Sequence, residues 1–141
     1  MSSSRFPYQP GPNRQPRKGS VPIRAFFFDT YGTVCDFFRP FKRALDALAA
    51  RQGVERDTAT LAIAWRNAYM KSVTRHVAAG HAFRPLLAMQ REDLAALTAR
   101  HFPQALSEAE LDELTTTWRR LDAWPDAVLG LQALQRHALI A

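Results

Sequence analysis

The chain has 141 residues, of which 47% are hydrophobic and 23% are charged, a balance typical of an ordinary globular domain. No apolar run approaches the roughly 20 residues of a membrane-spanning helix. No apolar stretch of about 7–15 residues follows the basic N-terminus, as it would in a secretory signal. The single cysteine, Cys35, allows no internal disulfide. We therefore expect a cytoplasmic protein with no membrane partner.

The formal net charge of +6 is concentrated at the N-terminus. Residues 1–24 hold five basic and no acidic side chains, whereas residues 25–141 are nearly neutral. Residues 1–22 are rich in Pro, Ser, Gly, Gln and Arg, a composition that predicts a disordered basic tail. A nucleic-acid or lipid-binding arm is the alternative for the tail. No basic groove is predicted in the folded part, so we expect no nucleic-acid partner.

The first predicted element is a strand within residues 23–29, which form a short apolar run that ends in Asp29. A run without alternation favours a parallel strand that is buried on both faces. A turn follows, in which Gly32 supplies backbone freedom. We assign the strand and its turn to residues 23–37.

Helical periodicity fills most of the remaining chain. The pattern predicts helices that end near Gly53 and Gly80, a third that begins near Pro85, and a fourth that begins at a capping box of Ser107 and Glu110 and extends to about Leu121. A fifth helix is predicted from Pro125 to about Arg136, and residues 138–141 predict the start of a second buried strand.

This order of elements predicts an α/β protein with a helical insertion. Residues 38–122 would form a separate cap of at least four helices that pack on one another more than on the first strand. Residues 123–141 would hold the return helix and the start of the second core strand. Parallel strands need such a crossover connection.

Asp29 is the strongest candidate for chemistry because open α/β sheets bind ligands at the carboxyl ends of their strands. The alternative is a strand-end Asp that only caps the turn, and position alone leaves both open. The four histidines show no metal-ligand spacing, so we assign them no role. For Cys35 we expect a buried, inert thiol.

The segment Phe28-Asp29-Thr30-Tyr31-Gly32-Thr33 resembles the first motif of the haloacid dehalogenase superfamily, in which the strand-end Asp is a covalent nucleophile. The resemblance implies a Rossmann-like (Rossmannoid) core with an inserted helical cap. Phosphatases of the superfamily carry a second Asp, as general acid, where this chain has Tyr31. The Asp-x-Tyr-Gly-Thr pattern is similar to the L-2-haloacid dehalogenase branch, whose halide leaving group needs no proton. The resemblance implies no metal and no cofactor.

A second resemblance lies in Ala64-Trp65-Arg66-Asn67, which is similar to the cap segment of these dehalogenases. It implies that Arg66 receives the halide and helps to bind the substrate carboxylate, as a planar guanidinium can. A solvated helix residue is the alternative for Arg66. The resemblance further implies that Thr33 holds the Asp29 carboxylate. It places four residues at the substrate: Thr30, Tyr31, Asn67 and Met70, the last of which could equally be core.

The activity implied is hydrolysis of short L-2-halo acids to D-2-hydroxy acids through an ester on Asp29. The substrate would be a small 2-halo carboxylic acid, and a homodimer is open for full-length members. The alternatives are another hydrolase of the superfamily, such as a phosphatase, and an inactive truncated remnant. The family's later Ser/Thr-Asn motif and lysine have no counterpart in the sequence. We therefore predict that this chain alone is inactive in turnover, with Asp29 alkylated once at best, and whether the gene or the chain is truncated stays open.

Overall fold

The structure is a computed structural model that describes residues 22–141. The prediction of a disordered tail falls almost entirely on residues 1–21 and lies outside the described residues. In chain order the elements are β1 (Ala25–Phe26), β2 (Cys35–Asp36), α1 (Phe38–Arg51), α2 (Thr58–Ala78), α3 (Leu86–His101), α4 (Glu108–Thr115), a 3-10 turn (Thr116–Arg119), β3 (Asp122–Ala123), α5 (Ala127–Gln135) and β4 (Leu139–Ile140).

The strands form two separate pairs. β1 and β4 are parallel, with Ala25 opposite Leu139, and β2 and β3 are antiparallel, with Cys35 opposite Ala123. The parallel pair, joined by a long helical crossover, confirms an α/β arrangement. The β2–β3 pair was not predicted, and it brings together the segments that lead into and out of the helices.

The core lies among the helices and is centred on aromatic side chains. We call Tyr31, Phe41, Trp65, Tyr69 and Trp118 the aromatic cluster. Phe41 stacks on Trp65 with ring centroids 4.4 Å apart, and it meets the Trp118 ring edge-on at 4.6 Å. Both Phe41 and Trp65 are fully buried. We call the segment from α1 to the 3-10 turn the helical block. A buried side chain of this size stabilises a fold by about 1.5–3 kcal/mol, so the cluster contributes substantially to the stability of the helical block.

The helix ends largely follow the local signals in the sequence. The predicted capping box is present, since the Ser107 side chain accepts from the Glu110 backbone and the Glu110 side chain accepts from the Ser107 backbone. Gly53 and Gly80 adopt positive φ angles of 64° and 65° at the second position after α1 and α2. One boundary is wrong: α4 ends at Thr115 and a 3-10 turn replaces the predicted continuation.

Two threonine side chains hydrogen-bond to the preceding turn where α4 ends. The Thr115 hydroxyl donates to the Leu111 carbonyl oxygen at 2.6 Å, and the Thr116 hydroxyl donates to the Glu113 carbonyl oxygen at 2.6 Å. Such bonds slightly destabilise a helix and often bend it.

The expectation that the first strand is buried on both faces is wrong in this structure. β1 has two residues, and Phe27, which follows it, is 83% exposed. Within residues 22–141 only β4 pairs with β1, so one neighbouring strand is too little to cover an apolar run. None of the helices in residues 22–141 combines the length and apolar character needed to cross a bilayer.

Candidate active site

Asp29 lies at the start of a tight turn that follows β1. We call residues 29–35 the Asp29 turn. The amides of Val34 and Cys35 both donate to the Thr30 carbonyl oxygen, at 3.1 and 2.9 Å, and the Gly32 amide donates to the Cys35 carbonyl oxygen at 2.8 Å. These bonds fold the chain back on itself and leave the Asp29 side chain exposed. The turn therefore presents a carboxylate at the carboxyl end of a parallel strand.

Gly32 is required in this turn by its backbone conformation. Its φ angle is +101°, which other residues adopt only with strain. A Cβ at this position would lie 3.6 Å from the Phe37 ring, an ordinary contact, so space alone would admit a side chain. The Gly32 carbonyl oxygen accepts from the Trp124 indole nitrogen at 3.1 Å, which ties the turn to the segment after β3.

Thr33 contacts the candidate nucleophile directly. Its hydroxyl donates to Oδ2 of Asp29 at 3.2 Å. The geometry matches the expected hydrogen bond, while its part in catalysis stays a prediction. Thr33 also lines an apolar pocket of about 180 Å³ together with Phe28 and with Leu131 of α5. Thr30 is exposed beside Asp29.

Tyr31 joins the Asp29 turn to the helical block. Its ring meets the edge of Trp118 at a centroid distance of 5.2 Å, and Trp118 in turn contacts Tyr69 at 4.7 Å. Burial raises the pKa of Tyr69, and the nearby Tyr31 adds to that increase, whereas a hydrogen bond with Gln90 opposes it. Tyr31 therefore packs the Asp29 turn against the helical block, and its contact with substrate stays a prediction.

Arg66 of α2 is brought to the Asp29 turn through Phe37. The guanidinium carbon lies 5.3 Å from the centroid of the Phe37 ring, and the same ring faces Gly32. Arg66 is half-buried, and its Nε has no hydrogen-bond partner within the described part of the chain. The alternative of a fully solvated helix residue does not describe this side chain.

Asn67 and Met70 are the other two residues of α2 that were expected at the substrate, and both are exposed. Asn67 is exposed and lines a groove of about 550 Å³ between α2 and α3, which no residue of the Asp29 turn lines. Met70 is 41% exposed, so it is not a core residue. Their contact with substrate stays a prediction.

Two further residues stabilise the site without having been predicted. Asp36 is 3% exposed, and its Oδ1 accepts from the amides of Phe38 and Arg39 at 2.8 and 3.3 Å. It therefore caps α1 directly after the Asp29 turn, and an Asp just before an apolar helical pattern was a usable signal. Trp124 had no such signal, because its partner Gly32 is 92 residues away.

Two other predictions concern cysteine and metal ligands. Cys35 is half-buried and free, so the expected full burial is wrong. Residues 22–141 contain no group of three or more His, Cys, Asp or Glu side chains placed to hold a metal ion.

Comparison with solved structures identifies the fold. The defluorinating L-2-haloacid dehalogenase Rha0230 matches with 34% identity and a TM-score of 0.74, over 84% of this chain and 49% of that one. The L-2-haloacid dehalogenase PA0810 matches with 30% identity and a TM-score of 0.71, over 84% of this chain and 50% of that one. The chain belongs to the L-2-haloacid dehalogenase family. It spans about half the length of these relatives, and the resemblance seen in the first motif is confirmed.

A more distant family member shows the same fold. The L-2-haloacid dehalogenase from Xanthobacter autotrophicus, solved with chloropropionic acid covalently bound, is 22% identical, with a TM-score of 0.65 over 80% of this chain and 43% of that one. No protein-family model and no curated protein matches the sequence.

Proposed function

We propose that the protein contributes the nucleophile and the halide-binding arginine for hydrolytic dehalogenation of short L-2-halo acids. The observation that carries the proposal is the exposed Asp29 carboxylate at the end of β1, held by Thr33 at 3.2 Å in a dehalogenase fold. A fixed, solvent-accessible carboxylate suits nucleophilic catalysis.

The hydrogen bond from Thr33 distinguishes the two carboxylate oxygens of Asp29. Oδ2 accepts from the hydroxyl, which leaves Oδ1 to attack C2 of the halo acid in line with the carbon–halogen bond. The new C–O bond forms as the halide leaves with the bonding electrons, and C2 inverts. Water then attacks the carbonyl carbon of the Asp29 ester, and the bond from that carbon to the ester oxygen breaks. One proton of the water ends on the hydroxyl of the released D-2-hydroxy acid, and the other is released to solvent as the Asp29 carboxylate is restored.

Arg66 would stabilise the charge that moves from the carboxylate to the halide. Among residues 22–141 the Arg66 guanidinium takes part in none of the ion pairs and its Nε has no partner, so its N–H groups could bind an anion without breaking an existing bond. A positive group beside the departing halide stabilises the transition state more than the neutral ground-state carbon–halogen bond. The covalent chloropropionic acid in the Xanthobacter enzyme supports this substrate class.

The test is whether Asp29 becomes esterified. The 141-residue chain is incubated with (S)-2-chloropropionate, and intact mass followed by peptide mapping locates any added carboxyethyl group. We expect one carboxyethyl group on Asp29 and one equivalent of chloride released. The family's later Ser/Thr-Asn motif and lysine, which would assist hydrolysis of the ester, have no counterpart in these 141 residues. The Asp29→Ala variant and the R enantiomer are the controls.

Two results would contradict the proposal. An unmodified Asp29 after prolonged incubation would remove it as the nucleophile. Phosphate release from a phosphate monoester in the presence of Mg²⁺, with no reaction towards 2-chloropropionate, would instead favour the phosphatase alternative.

A further inference from the structure

We propose that Phe37 is a positioning residue that fixes the Arg66 guanidinium in place to receive an anion. The inference rests on the proposed function for the role of the anion, and on the structure for the contact between the two side chains. Phe37 belongs neither to the first motif nor to the Trp65-Arg66 segment.

Arg66 lacks the partners that normally fix an arginine. Among the described residues, Arg66 takes part in none of the ion pairs, which involve Arg39, Arg43, Arg51, Arg84 and Arg91 as the arginine partners. Its Nε is buried with no acceptor. A long side chain without such bonds retains several rotamers, and ordering it on ligand binding costs about 1–2 kcal/mol. Another contact is therefore needed to hold the guanidinium ready.

The Phe37 ring supplies that contact. The guanidinium carbon lies 5.3 Å from the ring centroid, within the range of about 6 Å for a cation–π interaction. A cation–π interaction is an attraction between charge and ring that takes up no hydrogen-bond acceptor, so it leaves the N–H groups of Arg66 free to donate to an anion. Phe37 can therefore restrain Arg66 without occupying the atoms that would bind a halide or a carboxylate.

Phe37 is itself held between the helical block and the Asp29 turn. Its ring meets Phe41 of α1 edge-on at a centroid distance of 5.8 Å. On the turn side it lies 3.6 Å from the position of a Cβ on Gly32. The ring is thus anchored to both parts of the site, and it fixes Arg66 relative to the turn that carries Asp29.

The experiment measures anion binding at Arg66 in the 141-residue chain. Bromide is titrated while the Nε–Hε resonance of Arg66 is followed by ¹⁵N NMR, in wild type and in Phe37→Leu, Phe37→Tyr and Phe38→Leu. Phe38 is a matched control, because it is also half-buried and packs against the core but has no cation–π contact with Arg66. We expect Phe37→Leu to weaken bromide binding about fivefold, as the loss of about 1 kcal/mol implies. Phe37→Tyr should restore binding, and Phe38→Leu should not change it.

The resonance position before bromide is added tests the contact by itself. An aromatic ring over the guanidinium shifts the Hε signal, so the shift should disappear in Phe37→Leu and persist in Phe37→Tyr. An unchanged shift in Phe37→Leu, or equal bromide affinity in wild type and Phe37→Leu, would overturn the proposal. If the Hε resonance of wild type carries the ring-induced shift but does not respond to bromide, the contact between Phe37 and Arg66 exists, and the proposal that Arg66 binds the halide is wrong. If Phe37→Leu does not fold, Phe37→Met keeps the side-chain volume without the aromatic face and serves as the same test.

Discussion

A single hydroxyl group hydrogen-bonds to the candidate nucleophile. Within residues 22–141, Thr33 is the only side chain that hydrogen-bonds the Asp29 carboxylate. Thr33→Val keeps the shape and removes the donor, so we expect ester formation on Asp29 to slow about tenfold, since hydrogen bonds to charged groups contribute about 1.5–3 kcal/mol. The rate is measured by intact mass during incubation with (S)-2-chloropropionate. Thr33→Ser should react nearly as fast as wild type, and a wild-type rate in Thr33→Val would show that the hydroxyl has no orienting role.

Tyr69 makes stability sensitive to alkaline pH. Burial, and then the neighbouring Tyr31, raise the pKa of Tyr69 above its ordinary value of 10.0. The pKa of Tyr69 is higher in the folded state than in the unfolded state. The stability contributed by neutral Tyr69 is therefore fully present below about pH 10, and it is lost as pH rises through the pKa of the folded state. Tyr69→Phe keeps the buried ring and removes the ionisable hydroxyl. The loss of stability above pH 10 should therefore be smaller in the variant than in wild type, and urea unfolding across that pH range measures the difference. An equal alkaline loss in both proteins would contradict this role for Tyr69.

At the scale of elements, the capping box sets the start of α4. Ser107→Ala removes the side-chain acceptor for the Glu110 amide, so we expect a loss of about 0.5–2 kcal/mol at neutral pH. Hydrogen bonds from the Ser107 backbone and hydroxyl lower the pKa of Glu110 below its ordinary value of 4.5. Their stabilisation is therefore present above about pH 4.5 and is lost as pH falls through the lowered pKa. Thermal unfolding of wild type and Ser107→Ala should differ less in acid, because the bond from the Ser107 hydroxyl to the Glu110 carboxylate is lost there, whereas the bond from the Glu110 amide is not. A constant difference down to pH 2 would contradict the pairing.

The helices were predictable because their signals are local. The pair Ser107 and Glu110 predicts the start of α4, and the glycines after α1 and α2 predict the ends of those two helices to within a few residues. The β2–β3 pair could not be found in the same way, because each strand has two residues and the pairing joins Cys35 to the distant Ala123. The candidate site shows the same difference between local and distant signals. Arg66 is suggested only by the resemblance of residues 64–67 to the cap segment of the dehalogenases, whereas its contact with Phe37 depends on how α1 and α2 pack.

At the scale of the whole molecule, burial is divided unequally between the two ends of the chain. The fully buried side chains lie in the helical block, among them Phe41, Leu45 and Trp65, whereas α5 has no buried residue. In the parallel pair, Leu139 is 74% exposed. Local stability follows buried apolar contact, and an isolated two-stranded unit is marginal in water. That residues 38–122 form a separate cap remains a prediction, but this imbalance gives it a measurable consequence.

We predict that the β1–β4 pair and α5 open far more readily than the helical block. In hydrogen–deuterium exchange of the 141-residue chain, peptides from α1 to α3 should be protected and peptides from β1, β4 and α5 should exchange rapidly. Phe41→Ala should speed exchange in the helices, since such a core truncation costs about 3–5 kcal/mol, and should leave β4 unchanged. The Asp29 turn should be intermediate, because Tyr31 and Gly32 attach it to Trp118 and Trp124. If the β1 and β4 peptides are as protected from exchange as the α2 peptides, the β1–β4 pair and the helical block unfold together. The prediction would then be wrong. Rapid exchange at the strands with slower exchange at the turn would instead show that the helical block holds Asp29 in place.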